Sequence, residues 1–247
     1  LRLNKESLDP VLRYDKRNPI VKENNDGVTF EDELLAIGAV TCASFFAKPS
    51  ENWSVSIEGF NQTSIAIARE IENQGGSVTR ISTSKGCVTG KFDSGTLADA
   101  WLEAGASCVE HLGDVGKAWE IWKSDVDAIF VGSKPGAMSG EGAQGVQGTP
   151  VIATSAAAVS SKALAILRKN NTPVAADFLT GVGPALAWWT PEETSQNELR
   201  SSTSNVVSEL LQETSNHSDG SFMAACYKAE AFIDGWQEQR PFGRPLG

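Results

Sequence analysis

Histidine and paired cysteine are what this chain has least of. His111 and His217 are its two histidines, and Cys42, Cys87, Cys108 and Cys226 form no CxxC pair. A structural zinc needs closely spaced Cys and His ligands, so no metal centre is expected. Cysteines scattered through 247 residues suit buried thiols in a reducing compartment, and we expect a cytoplasmic protein. Long apolar runs are missing as well. The mostly apolar stretch 34–47 is about 14 residues, short of the ~20 that cross a bilayer, so it reads as a core helix. Excess positive charge is absent: 21 Lys and Arg face 31 Asp and Glu, a net charge of -10. Such a surface repels phosphate backbones and anionic lipid, which argues against nucleic acid and membranes as partners. There is no N-terminal signal pattern. The chain does not open on Met, which leaves processing or truncation open.

What is present is concentrated in residues 53–86. An apolar run, Val55 to Ile57, ends in Gly59. A helical pattern follows, with Ile65, Ala66, Ala68 and Ile71 on one side. Gly75-Gly76 stops it, and a second strand-like run covers Val78 to Ile81. Strand, glycine turn, helix and strand in this order form the unit that binds dinucleotides in Rossmann folds.

The rest of the chain extends that pattern. Residues 1–28 are polar and irregular and read as an N-terminal arm. Thr29 opens a helix through Phe46, with Glu31, Asp32 and Glu33 in the first turn, where the helix dipole favours them. Ser94 caps a helix from Thr96 to Glu103. Residues 106–110 read as a short third strand, and a helix lies around 118–122. Buried strands are expected at 127–131, 149–153 and 173–176, with a helix at 159–169 between the last two. This alternation predicts an α/β fold, a Rossmann-like doubly wound, mostly parallel sheet with flanking helices. Residues 29–189 would form that domain. A C-terminal helical extension, 190–247, would pack on it. Thr190-Pro191-Glu192-Glu193 reads as a capping box that starts a helix to about Gln212. A last helix would cover 221–239, with a frayed tail from 241. Seven tryptophans read mainly as core and interface mass.

Three glycine-bearing segments are candidates for ligand contact. A dinucleotide turn wants small residues in the order G-x-G-x-x-G, and here Gly59, Asn61 and Ser64 hold those positions. Gly59 fits and Ser64 is tolerable, but the Asn61 side chain crowds the incoming phosphate. Asn tolerates left-handed backbone, so the turn itself can survive, and the helix start still offers N–H groups to an anion. Gly59, Phe60, Asn61, Gln62, Thr63 and Ser64 are therefore candidate cofactor-binding residues with weakened grip. The second strand ends Ser82-Thr83-Ser84-Lys85-Gly86, without the acid that grips a ribose 2′-hydroxyl. Thr83, Ser84 and Lys85, beside Arg80, are either a seat for a 2′-phosphate or a polar loop. Gly132 and Ser133 begin a glycine-rich stretch to Gly148, after a central strand and without a Walker signature. It either closes over a ligand or runs as a flexible surface loop. Asp177 is the weak catalytic candidate; a lone Asp without a visible partner suits capping of backbone N–H groups better.

Taken together, these segments resemble the cofactor domain of the glutamate/leucine/phenylalanine/valine dehydrogenases. The family's first strand and turn are similar to Val55-Ser56-Ile57-Glu58-Gly59-Phe60, and its S-D-S-K-G loop to Ser82-Thr83-Ser84-Lys85-Gly86. Its D-x-D strand resembles Asp125-Val126-Asp127-Ala128-Ile129-Phe130. Its P-D-x-L-x-N-A-G-G stretch resembles residues 176–183. The departures fall on functional positions. The glycine turn is altered, the ribose-binding Asp becomes Thr83, and the stretch near the nicotinamide aligns with residues 153–156, placing Ser155 there. The resemblance implies a separate substrate domain that supplies the catalytic Lys and Asp, and the residues before Val55 are too few to build it. NAD or NADP is thus either weakly bound or lost, and no metal is implied. Candidate partners are a second protein or another copy of this chain, with a nucleotide as candidate ligand. We expect a dehydrogenase-like Rossmann protein without autonomous dehydrogenase activity, in a binding, regulatory or assembly role. The alternatives are the cofactor-binding half of a split NAD(P)-dependent amino-acid oxidoreductase, or changed chemistry in the crevice near Gly59, Gly132 and Asp177.

Overall fold

The computed structural model describes residues 16–22, 24, 26–48 and 51–236. Among the described residues six short strands carry the fold: β1 (Ser54–Glu58), β2 (Ser77–Thr83), β3 (Gly86–Phe92), β4 (Ala128–Val131), β5 (Val151–Ala153) and β6 (Val174–Ala175). They lie in the order β3-β2-β1-β4-β5-β6. All neighbours run parallel except β3, which returns antiparallel against β2. This is the doubly wound order, with its switch point between β1 and β4. β4 is apolar and buried throughout because helices cover both faces, so it needs no alternation of a half-exposed strand, and β1 is buried at its three central residues, Ser56 included.

The expected third strand at 106–110 is a correction. Residues 105–107 form a 3-10 turn that runs into the helix Cys108–Leu112. The third strand is 86–92, joined to β2 through the two-residue turn Ser84-Lys85. Its sequence, GCVTGKF, reads as a loop because an edge strand needs little apolar content; pairing with β2 makes it a strand.

The helices are α1 (Phe30–Ala47), α2 (Gln62–Asn73), α3 (Ser94–Ala104), α4 (Cys108–Leu112), α5 (Gly140–Gln144), α6 (Ser161–Lys169), α7 (Asp177–Thr180), α8 (Val182–Trp189), α9 (Gln196–Thr214) and α10 (Ser221–Asp234). Thr29 caps α1 as expected, in a reciprocal box with Asp32. α1 is apolar on most sides because α2 packs on it from one side and α8 and α9 from another. A Cβ at Gly38 would meet the Thr180 carbonyl, so α1 and α7 approach this closely only with glycine there.

Two further caps differ from expectation. Asp93, not Ser94, caps α3, with Oδ1 accepting from Thr96 N at 2.8 Å. The Thr190 hydroxyl is turned back onto the Leu186 carbonyl at 2.9 Å and closes α8. The helix that follows is started by Ser195 and Glu198, whose capping box is reciprocal. Residues 118–122 are a 3-10 turn. Residues 132–148 are not a loose loop: Met138 is fully buried and bridges to Val159, and α5 fills the middle.

The core has two main parts. One joins α1, α2 and α3 to β1, β2 and β3, with Leu97, Ile57, Ile65 and Ile71 at its centre. The other lies around β4, β5 and β6 against α5 and α6, with Met138, Val151 and Leu167. Burying each such side chain contributes roughly 1.5–3 kcal/mol. Trp53 is buried, but Trp119, Trp189 (89%) and Trp236 stand exposed, so the tryptophans are not all core. Cys42, Cys87 and Cys108 are buried free thiols, and Cys226 is half-buried. Among the described residues no helix is long and apolar enough to cross a membrane. The arm before residue 16 and the tail after 236, including the expected end of the last helix at 239, lie outside the described residues.

Candidate functional site: the crevice at the carboxyl ends of β1, β2 and β4

An open α/β sheet binds ligands where its strand order reverses, outside the carboxyl ends. Here β1 ends in Glu58 and turns sharply at Gly59, whose φ is +76°. A Cβ at Gly59 would collide with the main chain of Ser133, so only glycine allows the loop after β4 to lie this close. Asn61 is extended at φ −160°, so the left-handed residue of the turn is Gly59 and not Asn61.

The main-chain donors of this turn are mostly engaged. Gly59 N and Phe60 N both donate to the Ser82 carbonyl, at 3.1 and 2.9 Å. Asn61 N donates to Ser64 Oγ at 3.1 Å, and Ser64 N donates to Asn61 Oδ1 at 3.2 Å. Asn61 and Ser64 are thus a capping box for α2. Gln62 N and Thr63 N, in the first turn of α2, have no hydrogen-bond partner among the described residues. Beside them, Thr63 Oγ1 donates to Asp32 Oδ1 at 2.5 Å, bringing a carboxylate from the first turn of α1 to the start of α2. Phe60 points inward and packs edge-on against Trp101, ring centroids 6.1 Å apart.

Across the crevice, Glu58 takes the donors of the β4 loop. Its Oε2 accepts from Gly132 N and Ser133 N, each at 3.2 Å, and its Oε1 accepts from Ser133 Oγ at 2.5 Å. Gly132 packs against the Thr154 hydroxyl. Thr83 Oγ1 donates to the Ala106 carbonyl at 2.6 Å and accepts from Lys85 N at 3.2 Å, which fixes the Ser84-Lys85 turn. Arg80 is 4% exposed and committed elsewhere. It holds Asp125 at 2.9 Å and reaches Ser56 Oγ and the Lys123 carbonyl, so it is not available to a 2′-phosphate. That guanidinium holds the Asp125 carboxyl below the usual carboxylate range.

Ser155 and Asp177 lie past the ends of β5 and β6. Asp177 Oδ2 accepts from Ala157 N at 2.8 Å and holds a turn in which Ala157 has φ +51°. Ser155 Oγ is buried and has no hydrogen-bond partner. One cavity opens beside Glu58, Ser82 and Thr83, about 490 Å3 in volume. Trp119 and Trp122 from the 3-10 turn line it too, with Ala137 and Gly142, and Gly142 lies close against the Trp122 ring. Lys123 sits over the Trp119 ring at 5.7 Å, and Glu141 stands at the rim. No group of three His, Cys, Asp or Glu suited to a metal occurs among the described residues.

The structure therefore brings Gly59, Asn61, Ser64, Gly132 and Ser133 to one place. Thr83, Ser84 and Lys85 form its β2 edge, and Ser155 with Asp177 forms a separate turn. Sequence reasoning missed Glu58, Asp32, Ser82, Trp119 and Trp122. Glu58 carried a signal, an acid as the last residue of the first Rossmann strand. Asp32 carried none, because only packing of α1 on α2 places it there.

No protein-family model matches the chain, and no curated protein matches it. Solved structures do share the fold. The hetero-hexameric glutamate dehydrogenase of Thermus thermophilus, in a Leu-bound form, is 20% identical with a TM-score of 0.71; the match covers 86% of this chain and 54% of that one. Glutamate dehydrogenase 2 of Plasmodium falciparum is 16% identical with a TM-score of 0.66, covering 85% and 54%. L-tryptophan dehydrogenase from Nostoc punctiforme is 13% identical with a TM-score of 0.61, covering 85% and 62%. The chain spans little more than half the length of these structures. At such identities the likeness is one of fold, that of the dehydrogenase Rossmann-like domain.

Proposed function

We propose that this chain is a dehydrogenase-type Rossmann domain that does not transfer hydride by itself and serves a binding, regulatory or assembly role. One observation carries the reading. Most of the donors that would meet a pyrophosphate are taken by the domain's own groups: Gly59 N and Phe60 N by Ser82, Ser64 N by Asn61, and Gly132 N and Ser133 N by Glu58, which leaves Gln62 N and Thr63 N, where the Asp32 carboxylate stands close by. Asp32 and Glu58 also place two carboxylates beside the path of the phosphates, and like charges there repel. These residues do not fit a dinucleotide seated in the usual way, and we derive no step through one.

A split oxidoreductase, with this domain supplying the coenzyme side, is the second reading. The roughly 490 Å3 cavity beside Ser82 and Thr83 favours it, being large enough for an aromatic ring system against Trp119 and Trp122.

Thermal unfolding with NADH and NADPH separates the two. A dinucleotide present at 100 times its Kd would add about 2.7 kcal/mol and raise Tm clearly. We expect no rise for the wild-type chain at millimolar coenzyme. We expect a measurable rise for the double variant Glu58→Ala, Asn61→Gly. A clear rise for the wild type would overturn the first reading in favour of the second.

A further inference from the structure

A second cavity, about 980 Å3, lies at the opposite edge of the sheet, where Pro173 and Val174 begin β6. Its walls are the last turn of α1, the outer side of α6 and the turn 215–220 between α9 and α10. No residue of the coenzyme crevice lines it.

Its polar groups are organised around Asp219. Arg168 pairs with Asp219 Oδ1, and Tyr227 OH donates to Asp219 Oδ2 at 3.1 Å. Asp219 N donates to His217 Nδ1 at 3.0 Å, and the His217 and Tyr227 rings pack at 5.4 Å. The carboxylate is thus satisfied on both oxygens and its charge is balanced. Arg168 and His217 both line the cavity and keep further donor capacity: the rest of the Arg168 guanidinium and, because Nδ1 accepts, the other ring nitrogen of His217. Lys48, which also lines the cavity, has no carboxylate partner among the described residues. Arg168 is not consumed by the end of its own helix, because Asn171 N and Thr172 N take the Arg168 and Leu167 carbonyls. In a chain of net charge -10, this cavity is lined by Lys48, Arg168 and Asp219, a net positive charge of one once Arg168 and Asp219 are paired. Beneath them lie Phe46, Leu164, Phe222 and Met223, an apolar floor.

We propose that this cavity is a ligand site for a small hydrophobic carboxylate. Its carboxylate group is held by Arg168 and His217, and its apolar body lies on Leu164 and Phe222. A guanidinium fork matches a carboxylate. Inorganic phosphate would leave the apolar floor unused, and an uncharged ligand would leave the donors unmatched. The volume lies at the upper end of the range for small-molecule sites. This site is independent of what the coenzyme crevice does.

The full chain, labelled with nitrogen-15, tests it by amide shift mapping. The probes are phenylacetate and 4-methylpentanoate, with phenylacetamide and inorganic phosphate as controls. At millimolar concentration either carboxylate should shift amides in 164–168 and 215–223 and leave 58–64 unmoved. Phenylacetamide and phosphate should bind at least tenfold more weakly. Arg168→Gln should weaken phenylacetate at least tenfold. Leu164→Trp, which fills the floor and leaves Arg168 and Asp219 in place, should abolish binding. Absence of shifts with both carboxylates, equal binding of phenylacetamide, or unchanged affinity in a folded Leu164→Trp protein would overturn the proposal.

Discussion

Glu58 bridges to Ser133 across the switch point of the sheet, accepting its hydroxyl at 2.5 Å and its amide at 3.2 Å. The last residue of β1 thereby fastens the first turn after β4, where a ligand's anionic group would otherwise find those donors. The same contact stabilises the fold and competes with a pyrophosphate.

Removing the bridge should cost stability. Glu58→Ala leaves Gly132 N its bond to the residue-58 main-chain carbonyl at 3.2 Å but strips Ser133 of both its bonds to the carboxylate, and we expect a loss of about 1–2 kcal/mol. Ser133→Ala removes one bond only and should cost about 1 kcal/mol. Urea unfolding of both variants checks the order. Equal stability of Glu58→Ala and wild type would show that water replaces the carboxylate fully.

Gly59→Ala should be worse than either. The residue sits at φ +76°, and its new methyl would meet the Ser133 backbone. Backbone strain and collision together should cost about 3 kcal/mol or more, read by thermal unfolding.

Asn61→Gly should be nearly silent for stability. Glycine is an acceptable N-cap, so the loss should be a few tenths of a kcal/mol. The side chain that occupies Ser64 N is gone, so affinity for any phosphorylated ligand of the crevice should rise in isothermal titration. Unchanged, negligible affinity in both proteins would mean that nothing phosphorylated enters there.

The Arg80–Asp125 pair should make stability depend on pH at the acid end. The Asp125 carboxyl is held low in the folded chain, first by its hydrogen bond from Arg80. The unfolded chain then binds the proton more tightly, so the contribution is present above about pH 4 and lost as pH falls below it. Asp125 is 63% exposed at its side chain, so the effect is a fraction of a kcal/mol. Asp125→Asn should flatten the acid limb of a Tm–pH curve by that small amount.

The thiols should react in a fixed order. Burial pushes Cys42 up to about 12, and Cys87 and Cys108 up to about 11, so none presents a thiolate near pH 8. Cys226 is half-buried and should react first, though slowly, since burial raises it too. Ellman titration of native protein should show at most one thiol, and all four after unfolding.

Much of the fold was legible from one dimension. Val55–Ile57, Gly59 and the spacing of Ile65, Ala68 and Ile71 announce strand, turn and helix, because period and turn chemistry are local. The start of α1 at Thr29 was equally plain from the acids of its first turn, whereas the reciprocal box with Asp32 was seen only in the structure. Edge strand β3 was not, since Gly86–Phe92 becomes a strand only through backbone bonds to β2. The exposed Trp189 shows the same limit, because an aromatic residue reads alike whether or not a neighbour covers it.

By itself the sequence determined a doubly wound α/β chain and an altered glycine turn, since hydrophobic period and backbone sterics act within a few residues. Only the tertiary structure decided which groups fill that turn. Glu58 meets Ser133 from 75 positions away in the chain, and Asp32 meets Thr63 through the packing of two helices. A carboxylate's partner depends on which elements close around it, and that information is absent until the sheet and its helices have assembled.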